Sequence, residues 1–278
     1  MRISPKLCLS LSFVLALACS VTLIAQPPPP NQGIIGIAHI AFRVSDVDRE
    51  IAFLGKLGYQ EPFVVTNAGK TIEAFIKIND REFIELYPQT DRSQPLGWMH
   101  ICYEAGDLIA LQHYYATEGL NPSPVRKGAA GNLIVSINDP EHGVTEFTQY
   151  MPGSSHTLDV GKHLGANRIS DELMGIDLPV VEGAAMKEFY TDLGFEADDT
   201  NGNVRLTAPG AADLHMELRP ASPRAQPEFL FAVADAKKAY QALEYAGVNA
   251  QRDSGLVFVK DPDGNLFVFL ETGDQKHK

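Results

Sequence analysis

The chain has 278 residues, of which 45% are hydrophobic and 21% charged, and a formal net charge of −12. That length and composition suit two globular domains of ordinary size. The acidic balance excludes a nucleic-acid-binding role, which needs a basic face, and otherwise points to no partner beyond a small molecule.

Arg2 and Lys6 precede a mostly apolar stretch from Leu7 to Ala25, followed by Gln26 and the run Pro27–Pro30. A basic start, an apolar stretch and small residues near a cut site read as a secretory signal over 1–25, which predicts export to a periplasm or outside the cell. Two alternatives stay open: lipidation at Cys19 after Leu-Ala-Leu-Ala, which would tie the chain to a membrane, and retention of the apolar stretch as an anchor. Of the three cysteines, 8, 19 and 102, only Cys102 survives cleavage, so the mature chain has no internal disulfide. Residues 26–36 form a stiff proline-rich spacer.

From residue 37 onward one arrangement occurs four times. His39, Asp46 and Gly58 are separated by 7 and 12 residues. His100, Asp107 and Gly119, then Gly175, Glu182 and Gly194, then Glu228, Asp235 and Gly247 keep both intervals. In the first copy Ile40, Phe42 and Val44 alternate with His39, Ala41 and Arg43, the period of a strand. Asp46 is placed to cap a helix, Asp48 and Glu50 favour its positive end, and Ile51, Leu54 and Leu57 recur at helical spacing before Gly58 ends it. Strand-like runs follow at Phe63–Thr66, Thr71–Ile78 and Glu82–Tyr87, so each unit reads βαβββ. The fold class is α+β, with four such modules forming two tandem domains at 37–150 and 173–272. Residues 151–172, opening on Pro152-Gly153-Ser154-Ser155, are predicted to be a connecting loop.

The first two units also share a chemical pattern. From His39 to Glu85 is 85 − 39 = 46 residues, and from His100 to Glu146 is 146 − 100 = 46. If Ile40, Phe42 and Val44 pack under the helix, His39 lies on the other face of the sheet, and the same alternation places His100, Glu85 and Glu146 there. Two histidines and two carboxylates at equivalent positions read as a divalent-metal site; Fe, Mn, Ni, Co and Zn all suit that donor set.

These residues, with the turn Asp139-Pro140-Glu141-His142-Gly143 and its echo Asp261-Pro262-Asp263-Gly264-Asn265, resemble the vicinal oxygen chelate superfamily, which includes glyoxalase I, extradiol dioxygenases and bleomycin-resistance proteins. The resemblance implies that His39, Glu85, His100 and Glu146 hold one metal between paired units. The corresponding positions of units three and four are Gly175, Glu217, Glu228 and Val268, so the second domain is expected to lack a complete metal site.

Four protein ligands leave an octahedral ion two open positions, which fit two adjacent substrate oxygens. Glu146 or Glu85 would then serve as the base that moves a proton. Lyase or isomerase chemistry therefore ranks first. A ring-cleaving dioxygenase needs three open positions and becomes the better reading if Glu85 turns away, leaving His39, His100 and Glu146. Sequestration of an antibiotic or metallophore without turnover is the third reading.

Arg43, Glu104, Tyr87 and Tyr150 are candidate substrate contacts on the cleft face, Arg43 and Glu104 with the alternative of pairing to each other. Cys102 reads as a small apolar filler, and His142 as a turn residue. Arg126-Lys127-Gly128 followed by Gly131-Asn132 lies where some superfamily members hold an anionic part of the substrate, with a solvated loop as the alternative. His113, His156, His163, His215 and His277 have no counterpart at a matched position. A homodimer is allowed, but the tandem pairs complete a cleft without one.

Overall fold

The structure is a computed structural model that describes residues 33–272 apart from His142, Pro209 and Arg224. The segment expected to act as a secretory signal, with Cys19, the expected turn residue His142 and the terminal His277 lie outside the described residues.

The first half runs β1 (Ile34–Val44), α1 (Val47–Lys56), β2 (Gln60–Asn67), β3 (Lys70–Lys77), β4 (Phe83–Pro88), then β5 (Gly97–Ala105), α2 (Leu108–Thr117), β6 (Arg126–Lys127), β7 (Leu133–Asn138) and β8 (Val144–Gln149). After α3 (Ser155–Leu158), the second half repeats the order as β9 (Leu173–Val180), α4 (Gly183–Asp192), β10 (Glu196–Thr200), β11 (Asn203–Ala208), β12 (Ala211–Pro220), β13 (Glu228–Val233), α5 (Ala236–Tyr245), β14 (Ala250–Asp253), β15 (Leu256–Lys260) and β16 (Leu266–Glu271). Each half is one eight-stranded sheet, in the orders β2-β3-β4-β1-β5-β8-β7-β6 and β10-β11-β12-β9-β13-β16-β15-β14. Four βαβββ units in two tandem α+β modules are thus the observed architecture. In each sheet the first strands of the paired units lie antiparallel at the centre, flanked by their own fourth strands in parallel.

The local signals act as their chemistry dictates. Asp46, Asp107 and Asp235 each accept a hydrogen bond from the backbone N–H three residues on, capping α1, α2 and α5. Gly58 ends the first helix with φ +85°, and a β-carbon there would meet the Asn167 carbonyl at 2.4 Å. The segment expected as a plain loop carries the one-turn helix α3, because Ser154 accepts from the Thr157 N–H and starts a turn there.

Ile40, Phe42 and Val44 are buried on the helix side of β1, and that side packs against the second half. Phe42 meets Phe229 edge-on with centroids 4.7 Å apart, and Phe53 stacks on Phe267. Tyr115 donates to the Leu193 carbonyl. One continuous apolar core therefore spans both halves and leaves the opposite face of the first sheet for the site.

The two Asp-Pro turns clasp the halves together. Asp139 and Asp261 brace their own turns by accepting backbone N–H bonds. The next acidic residue in each turn reaches the other half. Glu141 accepts from the Val181 and Glu182 N–H groups at the start of α4, which Glu182 does not cap itself. Asp263 accepts from the Ser45 N–H and hydroxyl just ahead of α1. Under this second clasp lies Glu50, only 1% exposed, with a buried oxygen that makes no hydrogen bond and has Arg49 Nη2 at 3.9 Å. Burial first, then Asp261 and Asp263, push its carboxyl up to about 8.

Two consequences can be measured. Phe42→Ala removes a ring shared by both halves and should cost about 3–5 kcal/mol in a denaturant titration. Folded Glu50 holds its proton above the pH at which the unfolded chain releases it. Its contribution to stability should therefore fall as pH rises from about 4.5 to about 8. Glu50→Gln should flatten that stretch of the stability profile; an unchanged slope would place the titration elsewhere.

Candidate metal centre

The four candidate ligands sit on the four adjacent central strands, β4, β1, β5 and β8. Strand register arranges them in two rows. Phe83, His39, Cys102 and Glu146 are partners in one row; Glu85, Ala41, His100 and Val144 are partners in the next. Between His39 and Glu146 stands Cys102, and between Glu85 and His100 stands Ala41. Both central side chains are small and fully buried, so the ligands lean over them toward a common point.

Three atoms form a compact face. His39 Nε2 lies 3.1 Å from His100 Nε2 and 3.6 Å from Glu146 Oε1, and the last two are 3.9 Å apart. With metal–ligand bonds of about 2.1 Å, neighbouring ligands are separated by about 3.0–3.4 Å and opposite ones by about 4.2 Å. All three separations are shorter than an opposite pair, so the three atoms fit ligands gathered on one side of an ion. The donor set of two imidazoles and a carboxylate suits a divalent transition metal.

Glu85 is placed differently. Its Oε1 lies 3.1 Å from His39 Nδ1, the ring nitrogen turned away from the other ligands, and its Oε2 accepts from the Tyr87 hydroxyl. Tyr87 also contacts Glu73 Oε1 on β3. Glu85 thus stands behind His39, where a carboxylate fixes ring orientation and tautomer, although it remains clustered with His39 and His100. Cys102 is clustered with His39 and Glu146. Burial, then the nearby carboxylates, push its thiol well up, so it stays protonated in the metal-free chain.

The electrostatics call for positive charge. His39, Glu85, His100 and Glu146 are 4%, 4%, 8% and 7% exposed. Burial holds His39 well below the usual histidine range and His100 at about 4, so both imidazoles are neutral and free to act as donors. Burial raises the carboxyls of Glu85 and Glu73, and lifts Glu146 to about 7 against the pull of Arg126. Arg126 Nη2 lies 3.5 Å from Glu146 Oε2 on a largely exposed side chain. Three crowded carboxyls with one partly solvated cation form a site that a divalent ion would neutralise.

A cavity of about 230 Å³ opens beside this face, reached by His39 and Glu146 but not lined by His100. His39, Glu85 and Glu146 form its polar end; Phe75, Tyr87, Ile134, Tyr150 and His156 form an aromatic and apolar wall, with Arg126 also contributing. Tyr150 contributes ring rather than hydroxyl, since its O–H donates to the Arg81 carbonyl. Arg43 and Glu104 do not line the cavity, and they do not pair with each other. Arg43 donates to the Pro95 carbonyl, and Glu104 pairs with Arg81 at 2.6 Å. Both lie on the expected face but too far along their strands. Arg126, Gly128 and Asn132, from the stretch expected to hold an anionic part of the substrate, line the cavity, and so do Glu73 and His156, which had not stood out in the sequence. Alternation along β3 puts Glu73 on the face of Phe75, a usable signal; His156 lies outside the repeat, and nothing in its spacing marks it.

The matching positions of the second sheet have other occupants. A β-carbon at Gly175 would lie 1.5 Å from the His215 carbonyl oxygen, so no side chain fits there. Glu217 accepts from Asn203, Glu228 pairs with Arg219, and Val268 is buried.

Residues 171–269 match the family model of the Glyoxalase/Bleomycin resistance protein/Dioxygenase superfamily. Solved structures share the tandem fold over most of the chain. The 2,3-dioxygenase LapB from Pseudomonas sp. KL28 superposes with a TM-score of 0.66 at 15% identity, covering 87% of this chain and 93% of its own. A catechol 2,3-dioxygenase gives 0.65 at 14% identity, with coverages of 86% and 88%. The Mn(II)-bound glyoxalase from Novosphingobium aromaticivorans gives 0.61 at 16%, with coverages of 86% and 82%. No curated protein matches the sequence.

Metal uptake must displace the proton that Glu146 holds below about pH 7. Affinity for a divalent ion, measured by competition with a chromophoric chelator, should therefore drop about tenfold for each pH unit below 7. A pH-independent affinity between 5 and 8 would show that Glu146 is already ionised at pH 5 and would overturn its raised pKa.

Proposed function

We propose that this chain is a metal-dependent enzyme acting on a small molecule with adjacent oxygens, and that its reaction is oxygenolytic cleavage of a catechol-type ring. Lyase or isomerase chemistry, ranked first on a four-ligand count, moves to second place. The observation that carries this reading is the position of Glu85 behind His39, which leaves His39, His100 and Glu146 as a two-histidine, one-carboxylate face. Such a set leaves three positions for two ring oxygens and dioxygen. The relatives with ring-cleaving chemistry support the same order of preference.

The metal, when bound, supplies a Lewis-acidic, redox-capable centre. The chain's own residues do the rest. Glu85 holds His39 in one tautomer through Nδ1. Burial and two carboxylates keep the Tyr87 hydroxyl protonated, so it can hold a proton beside the substrate. Phe75 and Tyr150 offer flat apolar walls to an aromatic ring, and Arg126 faces the cavity with charge complementary to an ionised oxygen. The second reading keeps one specific support, the clustering of Glu85 with His39 and His100. If Glu85 swings onto the ion, four ligands suit proton transfer between carbons instead.

Oxygen uptake decides between them. Protein loaded with Fe²⁺ or Mn²⁺ should consume dioxygen with catechols and release a ring-opened product detectable by mass. Glu146→Gln should lose the metal, whereas Glu85→Gln should keep it with about 10–100-fold weaker affinity, as expected of an outer partner. No uptake by fully loaded protein with any catechol, together with outright metal loss in Glu85→Gln, would sink the ring-cleavage reading.

A further inference from the structure

We propose that His156, carried by the segment that joins the two sheets, orients the bound small molecule by donating a hydrogen bond from Nε2–H to one of its oxygens. The inference rests on the cavity being the small-molecule site, and not on ring cleavage.

The argument begins with Asn132. Its Oδ1 accepts from the Met151 N–H at 3.1 Å, which fixes the orientation of the amide. Its Nδ2 must then be the group 2.9 Å from His156 Nδ1, and an amide N–H₂ only donates. So Nδ1 accepts, and a neutral ring carries its proton on Nε2. Burial keeps the ring neutral by lowering its pKa to about 4.

That N–H is an orphan. His156 is buried at 4% exposure, and its Nε2 has no hydrogen-bond partner. None of the rings around it accepts that proton: the phenyl rings carry no oxygen, and the Tyr150 hydroxyl is turned to the Arg81 carbonyl. Phe63, Phe75 and Phe83 stand nearly perpendicular to the imidazole, and Tyr150 stacks on it. A perpendicular phenyl face is a weak acceptor at best. Buried donors without partners are rare and call for an explanation. His156 is part of the wall of the cavity that holds His39 and lies close enough to depress that ring's basicity; its Nε2 is itself covered, so a bound oxygen reaches it by displacing a neighbouring ring.

The position is held firmly. Lys77, wholly buried on β3, donates to the Asp159 carbonyl and carboxylate and to the Lys162 carbonyl, and pairs with Asp80. Ser155 N–H donates to the Ala130 carbonyl. Four anchors fix a stretch that has no sheet neighbours, and His156 is the side chain that it delivers to the cavity.

The test uses full-length mature protein loaded with Zn²⁺ and two probes that chelate through adjacent oxygens, catechol and acetohydroxamate, titrated calorimetrically. His156→Phe keeps a ring and removes the donor; His156→Gln keeps an N–H donor. His156→Phe should weaken binding about 10–100-fold, and His156→Gln should recover most of it. Metal content should stay at one per chain in all three proteins. Nitrogen NMR of the wild-type imidazole should show the Nε2–H tautomer, with that proton shifting when a probe is added. Wild-type affinity in His156→Phe, or an Nδ1–H tautomer, overturns the inference. Failure of catechol alone, with acetohydroxamate bound in a His156-dependent way, removes ring cleavage and leaves the inference standing. Failure of both probes with wild type overturns both.

Discussion

The register of β1 against β5 is the constraint on which the site depends. It sets His39 opposite Cys102 and Ala41 opposite His100 across one antiparallel seam, and the parallel neighbours then bring Glu85 and Glu146 to the outer flanks. A slip of one residue would turn every ligand into the apolar core, because strand side chains alternate in direction. The seam joins two copies of one unit, so a single register places both copies. The small side chains at its centre matter as much as the ligands. A larger residue at Ala41 or Cys102 would fill the space over which the donors converge.

The second half supports that seam from behind. Phe229, Phe231 and Phe267 pack against Phe42, Phe53 and Tyr59, whose strands and helix carry or adjoin the ligand positions. The site face therefore sits on a core shared by both sheets. The exchanged contacts of Glu141 and Asp263 add direction, since each turn fixes the helix start of the opposite half. The matching positions of the second sheet hold a glycine, a valine and two carboxylates engaged with Asn203 and Arg219.

Much of this was legible from spacing. Repetition of the 7- and 12-residue intervals revealed four units, and the matched 46-residue intervals revealed which side chains share a face. Both depend on strand alternation and helix length, properties of the backbone that sequence carries directly. What the pattern left out depends on side-chain torsions or on contacts between distant segments. Periodicity puts Glu85 on the right face but does not say which nitrogen of His39 it meets. It likewise puts Arg43 and Glu104 on that face, but their partners Pro95 and Arg81 come from neighbouring loops. The Asp-Pro turns were visible as turns; their role as clasps needs the docking of two halves. His156 belongs to no repeat, so no spacing argument could select it.

These omissions have a common physical origin. A duplicated sheet supplies symmetric positions, but a reaction needs an asymmetric environment. In this cavity the asymmetry comes from side chains without a counterpart in the paired unit, Glu73 on β3 and Arg126 on the two-residue β6, and from the joining segment with His156. Glu73 meets Glu85 directly and through Tyr87, and adds a weaker repulsion at Glu146. Arg126 acts on the Glu146 side. The two carboxylates that the repeat makes equivalent are therefore inequivalent in charge. Burial raises both carboxyls, but Glu73 adds to the rise at Glu85, whereas Arg126 offsets part of it at Glu146. That difference runs with the proposed division of roles, Glu146 toward the ion and Glu85 toward the histidine behind it, although their positions in the repeat are the same.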